Sequence, residues 1–459
     1  MSADLIFCGG QVATPKGFRR LDVSVRRGRI LKVAKSSASE RRGAKHLVDA
    51  KDCLVLPGAV DPHVHFDLGI GPGMRSADDS RAALAGGVTS VIDYTGPQPG
   101  QSPRQAFAER LKQASGWACD FSFHNVLIDW RDEWAKELHE LARAGSPSVK
   151  LFMIYKDRGW QAHDGMMHEV MTQCRRHDLV VCVHAENDAL IDHFTAKTLA
   201  LSADKRPGAS ALAISRPPLV EWEAVGRAIA LAEDTGARLH LVHLSTARSA
   251  ELVGQARKKG LLISGETCPH YLSLDQKLLS RPEGHRNACC PPLRTAKERQ
   301  GLFKALKENW LQAVATDHCN FSSELKDSWG GDFQHIPYGL AGVETSLSIT
   351  WTLGPEKEKM DPARWVEMHS AGPAKLFGMY PKKGAIVAGA DADLIVWDPQ
   401  HTKTLRAARL ETHGDHSAYE GRRVKGQARQ VYLRGSLMAE AGRYVGRADA
   451  GQLIKRKRS

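Results

Sequence analysis

Between Leu54 and Ala315 the chain repeats one pattern: a short apolar run, a stretch of helical periodicity, and often a glycine before the next run. The runs are the segment leading to His63, then Val88–Ile92, Phe121–Ile128, Val149–Met153, Leu179–Val183, Leu239–Val242, Leu261–Ile263 and Ala313–Ala315, eight in all. Between them, apolar residues fall on helix faces. Trp134, Leu138 and Leu141 make one, Met167, Val170, Met171 and Cys174 another, and Trp222, Val225, Ile229 and Ala232 a third. Gly145, Gly236 and Gly260 stand where helix gives way to strand, as helix ends favour. Strands that alternate with helices imply parallel βαβ units, and eight of them predict a closed α/β barrel rather than an open doubly wound sheet.

The flanks use a different grammar. Leu21–Val25 alternates, Arg26–Arg29 reads as a turn, and Ile30–Val33 follows, which is the pattern of a hairpin. Strand-like runs return at Gly384–Val387, Asp393–Trp397 and Gln430–Gly435. Both ends of the chain can therefore build one small β domain beside the barrel.

Composition excludes several classes. With 42% hydrophobic and 25% charged residues over 459 positions, the chain is an ordinary globular protein. The net charge of +12 invites a nucleic-acid reading. Yet the basic residues are dispersed, apart from Lys455–Arg458, and no recognition motif accompanies them. The expectation is a solvated surface with a loose basic tail and no nucleic-acid partner. Nine cysteines without a Cys-x-x-Cys pair suit a reducing compartment. The amino terminus lacks the pattern of a signal peptide, and no run reaches the ~18 apolar residues of a membrane span. A cytoplasmic location without membrane contact is expected.

The chemistry gathers at strand ends. His63 and His65 stand two residues apart after an apolar run, so in extended chain both point to one side. Lys150 lies inside an apolar run, where an unpaired ammonium is costly. His184 ends Val181–Val183, His243 ends Leu239–Val242, and Asp317 follows Ala313–Thr316. In a barrel these six residues converge on one mouth, where a borderline metal could find its ligands. His240 competes with His243, since residues three apart cannot both face the mouth of a regular strand.

The segments Pro57–Phe66, Ser148–Tyr155, Val183–Asn187, Val242–Ser245, Cys290–Arg294 and Thr316–Cys319 together resemble the dihydropyrimidinase and hydantoinase family of cyclic amidohydrolases. The resemblance runs through nearly the whole chain, with the motifs in the family's order. It implies a (β/α)8 TIM barrel over residues 55–382. Residues 1–54 and 383–459 would form a β-sandwich, the latter including the basic tail. It also implies two zinc ions and a carbon-dioxide-derived carbamate on Lys150 (N6-carboxylysine). His63, His65 and Asp317 would hold one metal, His184 and His243 the other, and carbamylated Lys150 would bridge them; the motif favours His243 over His240. Asp317 would accept a proton from the attacking hydroxide and pass it to the leaving nitrogen. Tyr155 would hydrogen-bond the oxyanion. The product would be an N-carbamoyl amino acid and the assembly a homotetramer.

Two departures bear on the substrate. Cys290 stands where the family commonly has serine, and Tyr338 where it has asparagine, both at positions implied to contact the cyclic ureide through backbone groups. Loops 67–76 and Lys156–His163, with Trp160, are expected to sense the ring substituent. The long Lys150–Tyr155 motif disfavours allantoin or dihydroorotate hydrolysis, and the complete ligand set disfavours a non-catalytic scaffold.

Overall fold

The computed structural model describes residues 2–67, 75–201 and 208–458. Eight strands form one parallel sheet in chain order: β1 (Ala59–Asp61), β2 (Val88–Tyr94), β3 (Asp120–Val126), β4 (Ser148–Phe152), β5 (Val180–His184), β6 (Arg238–Leu241), β7 (Ile263–Thr267) and β8 (Ala313–Val314). Past the strand ends Val64 bridges His318, and the His65 N–H donates to the His318 carbonyl at 2.7 Å, so the ring is nearly closed. The barrel expected from the alternating pattern is therefore present.

Two of the three helix faces form as their spacing gives, and in the third Val225 and Ala232 are buried but Trp222 is exposed. Trp134–Ala144 buries Trp134, Leu138, Leu141 and Ala142, each large side chain contributing about 1.5–3 kcal/mol. Gly145 ends it with φ of 112°, a left-handed turn that only glycine adopts at little cost.

Two runs differ from the sequence reading. The apolar run before His63 is split at Gly58: Leu54–Pro57 pairs with Leu394–Trp397 in the terminal sheet, while Ala59–Asp61 opens the barrel. The seventh strand lies later than Leu261–Ile263, at Ile263–Thr267, because its polar residues point into a hydrogen-bonded barrel interior.

The flanks build two facing sheets. One has the order Arg29–Val33, Val23–Arg26, Leu5–Cys8, His46–Asp49. The other runs Arg443–Tyr444, Ser436–Glu440, Arg423–Leu433, Leu394–Thr404, Leu54–Pro57, Gln11–Thr14, Gly17–Arg19. Phe7, Val23 and Val25 from the first meet Val55, Leu394 and Val396 from the second in one core, as in a β-sandwich. Lys383 ties this unit to the barrel, with Nζ 2.6 Å from Asp120 and Asp393 and 3.0 Å from Asp391.

The loose basic tail is corrected. Ile454 joins Val60, Ile92, Val180 and Phe377 in a cluster under the barrel. Arg456, 3% exposed, donates to Ser122 Oγ and Ser148 Oγ at 2.8 Å each and to the Phe123 carbonyl. Lys455 and Lys457 are exposed on either side of it. The segment is extended, so alternate residues face the barrel floor, a period that a run of four cations conceals. Among the described residues no helix is long and apolar enough to cross a membrane, and all nine cysteines are free.

Candidate metal centre

Six side chains of the barrel mouth come from the ends of β1, β4, β5, β6 and β8. His63, His65 and Asp317 form the first cluster, their ligand atoms all within 4.8 Å of one another. His63 Nε2 lies 3.3 Å from His65 Nε2, and each is 3.1 Å from Asp317 Oδ1. Asp61 holds the two chain segments in register. Its Oδ1 accepts the N–H of His63 at 3.2 Å and of Thr316 at 3.1 Å, and its Oδ2 accepts the Thr316 hydroxyl at 2.6 Å.

His184 and His243 form the adjoining cluster, with ring centroids 4.4 Å apart, and His243 lies 5.2 Å from the His63 ring. His240 takes no place there. It points into the barrel, hydrogen-bonded to Ser264 Oγ at 2.8 Å and Glu266 Oε2 at 3.0 Å. The regular strand ends at Leu241, and His243 has φ of 39°, which turns its ring to the mouth. Tyr155 (φ 70°) and Asp317 (φ 48°) share this left-handed backbone. Such strain, about 1–3 kcal/mol per residue, concentrates at functional sites.

Lys150 lies on β4, is 1% exposed, and is near enough to Asp317, His184 and His243 to interact with each electrostatically. Its Nζ faces the Tyr94 ring at 5.2 Å and the Phe152 ring at 5.1 Å, with Cys182 beside it on β5. Among the described residues no carboxylate is within salt-bridge reach of it. Burial pushes its amine down to about 8.

The remaining electrostatics follow from burial set against neighbours. Burial opposes ionisation of Asp317, but His63 and His65 outweigh it and hold the carboxyl well below the usual range. Burial likewise opposes the imidazolium of His63, yet Asp317 and Glu266 prevail and raise its pKa. For His65 burial wins and the pKa falls.

The other predicted residues line the wall beside His184. The Tyr155 ring lies 5.8 Å from the His184 ring, and its hydroxyl is within hydrogen-bond reach of Cys290. Tyr338 packs against Cys290, Ile154 and Ile191, with the Arg216 guanidinium 5.6 Å from its ring centroid. Trp160 lies 6.1 Å from Tyr155. Of the other loop expected to sense the substituent, residues 68–74 lie outside the described residues.

The structure adds residues that sequence reasoning did not single out. Glu266 on β7, 1% exposed, receives His63 Nδ1 at 2.7 Å as well as His240. Glu186, fully buried, accepts from His184 Nε2 at 2.8 Å and Arg216 Nη1 at 3.0 Å. A carboxylate two residues after a strand-end histidine was the available signal for Glu186. For Glu266 the run Ser264-Gly265-Glu266-Thr267 resembles a loop.

The donor set fits a pair of zinc-like dications. Four imidazoles and a carboxylate are nitrogen and oxygen ligands of the right softness. Each of His63 and His184 has its other ring nitrogen on a buried carboxylate, as metal-bound histidines commonly do. An ammonium on Lys150 would repel such ions, whereas an anionic derivative would attract both.

Comparison with known proteins identifies the family to which this fold belongs. The family model described as "Amidohydrolase family" matches residues 54–438. A D-hydantoinase of Geobacillus stearothermophilus is 36% identical over 456 residues, covering 97% of this chain and 95% of the relative. A dihydropyrimidinase of Rattus norvegicus is 33% identical over 470 residues, covering 99% and 89%. A crystal structure of D-hydantoinase superposes with a TM-score of 0.94 at 35% identity, covering 99% of both chains. An L-hydantoinase (dihydropyrimidinase) from Arthrobacter aurescens gives 0.90 at 28% identity, covering 99% of this chain and 100% of that one.

Proposed function

The chain belongs to the amidohydrolase family, and we propose that it is a cyclic amidohydrolase opening dihydropyrimidines or 5-substituted hydantoins to N-carbamoyl amino acids. One observation carries this reading. The His63–His65–Asp317 cluster abuts the His184–His243 pair, and the buried amine of Lys150, with no carboxylate in salt-bridge reach among the described residues, interacts electrostatically with Asp317, His184 and His243. His63, His65 and Asp317 would hold one zinc, His184 and His243 a second, and a carbamate on Lys150 would join them. Zinc bound there would supply a water acidic enough to attack near neutral pH and would polarise the carbonyl it attacks.

The protein's own groups do the rest. Asp317 is ionised at the mouth, the state in which it can accept a proton; it then delivers that proton to the ring nitrogen as the C–N bond breaks. Burial raises the Tyr155 hydroxyl well above its ordinary pKa, so it stays protonated and donates to the carbonyl oxygen as negative charge develops there. Backbone groups around Cys290 and Tyr338 hold the ureide edge. Phe152, Trp160 and Tyr155 give that side of the mouth an aromatic wall able to receive a ring substituent. We take the working enzyme to be a cytoplasmic homotetramer.

The test is product analysis with zinc-loaded protein on dihydrouracil, on hydantoins with small and aromatic 5-substituents, and on allantoin. Ring opening of the first two groups to N-carbamoyl amino acids is expected. Hydrolysis of allantoin alone, or of none with two equivalents of zinc bound, would refute the reading.

A further inference from the structure

Glu186 follows β5 by two residues and is fully buried. Its Oε2 is shared by three donors from separate parts of the chain: His184 Nε2 at 2.8 Å, Arg216 Nη1 at 3.0 Å and the Cys290 thiol at 3.2 Å. Arg216 Nη1 also lies 3.3 Å from Cys290 Sγ. Its guanidinium faces the Tyr338 ring, and Arg294 Nη1 donates to the Arg216 carbonyl. The other oxygen, Oε1, is buried with no hydrogen-bond partner among the described residues. A buried carboxylate is costly unless it is paired, and removing one partner of such a group disturbs the others.

The contacts have two consequences. A proton on His184 Nε2 is committed to Glu186, which leaves Nδ1 as the ring's free lone pair. The Cys290 hydrogen is likewise turned towards Glu186, so the thiol presents a lone-pair face to the substrate wall and offers no donor there. We propose that Glu186 is a positioning residue joining the metal centre to the substrate wall, fixing the ring nitrogen that His184 offers a metal together with the pose of Arg216 and Cys290. This rests on the dinuclear reading above and adds a coupling that the ligand set does not require. The residue at 290 and the metal ligand on β5 then answer to one oxygen atom, so a change at Glu186 is felt at both.

The experiment compares wild type with Glu186→Gln and Cys290→Ala. Zinc retention against a competing chelator is measured without substrate, and kcat and KM are measured on an accepted hydantoin with zinc in excess. In Glu186→Gln the amide keeps the shape but loses the charge and one acceptor face. It should release the His184-side zinc about 10–100-fold more readily and raise KM about tenfold. Cys290→Ala should raise KM with zinc retention within about twofold of wild type, and Cys290→Ser, which restores a donor to Glu186, should recover it. Should Glu186→Gln fold poorly because Arg216 is left unpaired, Glu186→Gln/Arg216→Met removes both charges and should show the same weakened zinc retention. If either folded Glu186 variant holds both zincs as firmly as wild type, or if zinc retention falls while KM does not move, the coupling is overturned. Wild type that binds no zinc overturns the dinuclear reading and the coupling together.

Discussion

Replacing Lys150 with methionine is expected to stabilise the metal-free protein and to disable the loaded one. The lysine ammonium is buried on β4, and burial lowers its pKa from 10.5 to about 8. A depression of that size corresponds to about 3 kcal/mol of destabilisation near pH 7. The Tyr94 and Phe152 faces beside Nζ offset about 1 kcal/mol of this, leaving about 2. Because the folded pKa lies below the unfolded one, the penalty is complete below pH 8 and fades as pH rises to 10.5. Methionine fills the same space without charge. A chain of 459 residues unfolds with an entropy of about 1 kcal/mol per degree. Chelator-treated Lys150→Met should therefore melt about 2 °C above chelator-treated wild type at pH 7, and the gap should close by about pH 10.5. Adding zinc and bicarbonate should reverse the order, since only wild type can carry the bridging carbamate. Wild-type reloading at fixed dissolved carbon dioxide should also quicken about fivefold from pH 7 to 8 and level off above it, following the neutral amine. Calorimetry and metal analysis read all of this. A metal-free variant less stable than wild type at pH 7, or one that holds two zincs and turns over without added carboxylic acids, would refute the argument.

Three further outcomes are expected. Asp317→Asn should retain metal but lose about 10²–10⁴ in kcat, as read by metal analysis beside a rate assay; near-normal turnover would remove Asp317 from proton transfer. Glu344, pushed up to about 7 by burial, should favour folding fully below pH 4.5 and lose that contribution as pH rises through 7. Glu344→Gln should therefore melt up to about 3 °C above wild type at pH 8, with no difference attributable to this group below pH 4.5. Lys383→Met leaves Asp120, Asp391 and Asp393 buried without their shared cation. It should cost about 3–5 kcal/mol, seen as a lower melting temperature with unchanged zinc content at 25 °C.

Much of this molecule was legible in its sequence because two signals are local. Helix faces such as Met167–Cys174 and strand runs such as Val149–Met153 each announce themselves within one window. The candidate ligands stood out because all but Lys150, which lies inside a run, follow such a run. What was hidden depends on partners distant in sequence. Glu266 looks like a loop residue until His63, 203 positions away, is found hydrogen-bonded to it. Arg456 reads as part of a solvated cationic tail until β3 and β4 supply Ser122 and Ser148 beneath it. The split at Gly58 was equally hidden, because a Cβ there would lie 2.1 Å from Thr89 Oγ1 on β2, a contact no single window contains.

These distant partners share a logic. Asp61 fixes the backbone of His63 and Thr316, Glu266 the ring of His63, and Glu186 the ring of His184. Glu221 accepts the N–H groups of Ser245 and Thr246, just past His243. Four buried carboxylates thus lie behind the mouth, each held by hydrogen bonds from the protein itself, although Glu186 Oε1 has none among the described residues. The left-handed backbone at His243 is held by Glu266, which accepts its N–H at 3.4 Å, and that at Tyr155 by Asp188 at 3.1 Å, while Asp61 holds Thr316 beside Asp317; strain of this kind persists only where its surroundings fix it. A site built this way keeps its shape without metal, so binding a metal need not fold the mouth. On the proposed dinuclear reading the binding energy would then be available for the ions and a Lys150 carbamate, so Lys150 can be tested by stability in the metal-free protein and by metal content in the loaded one.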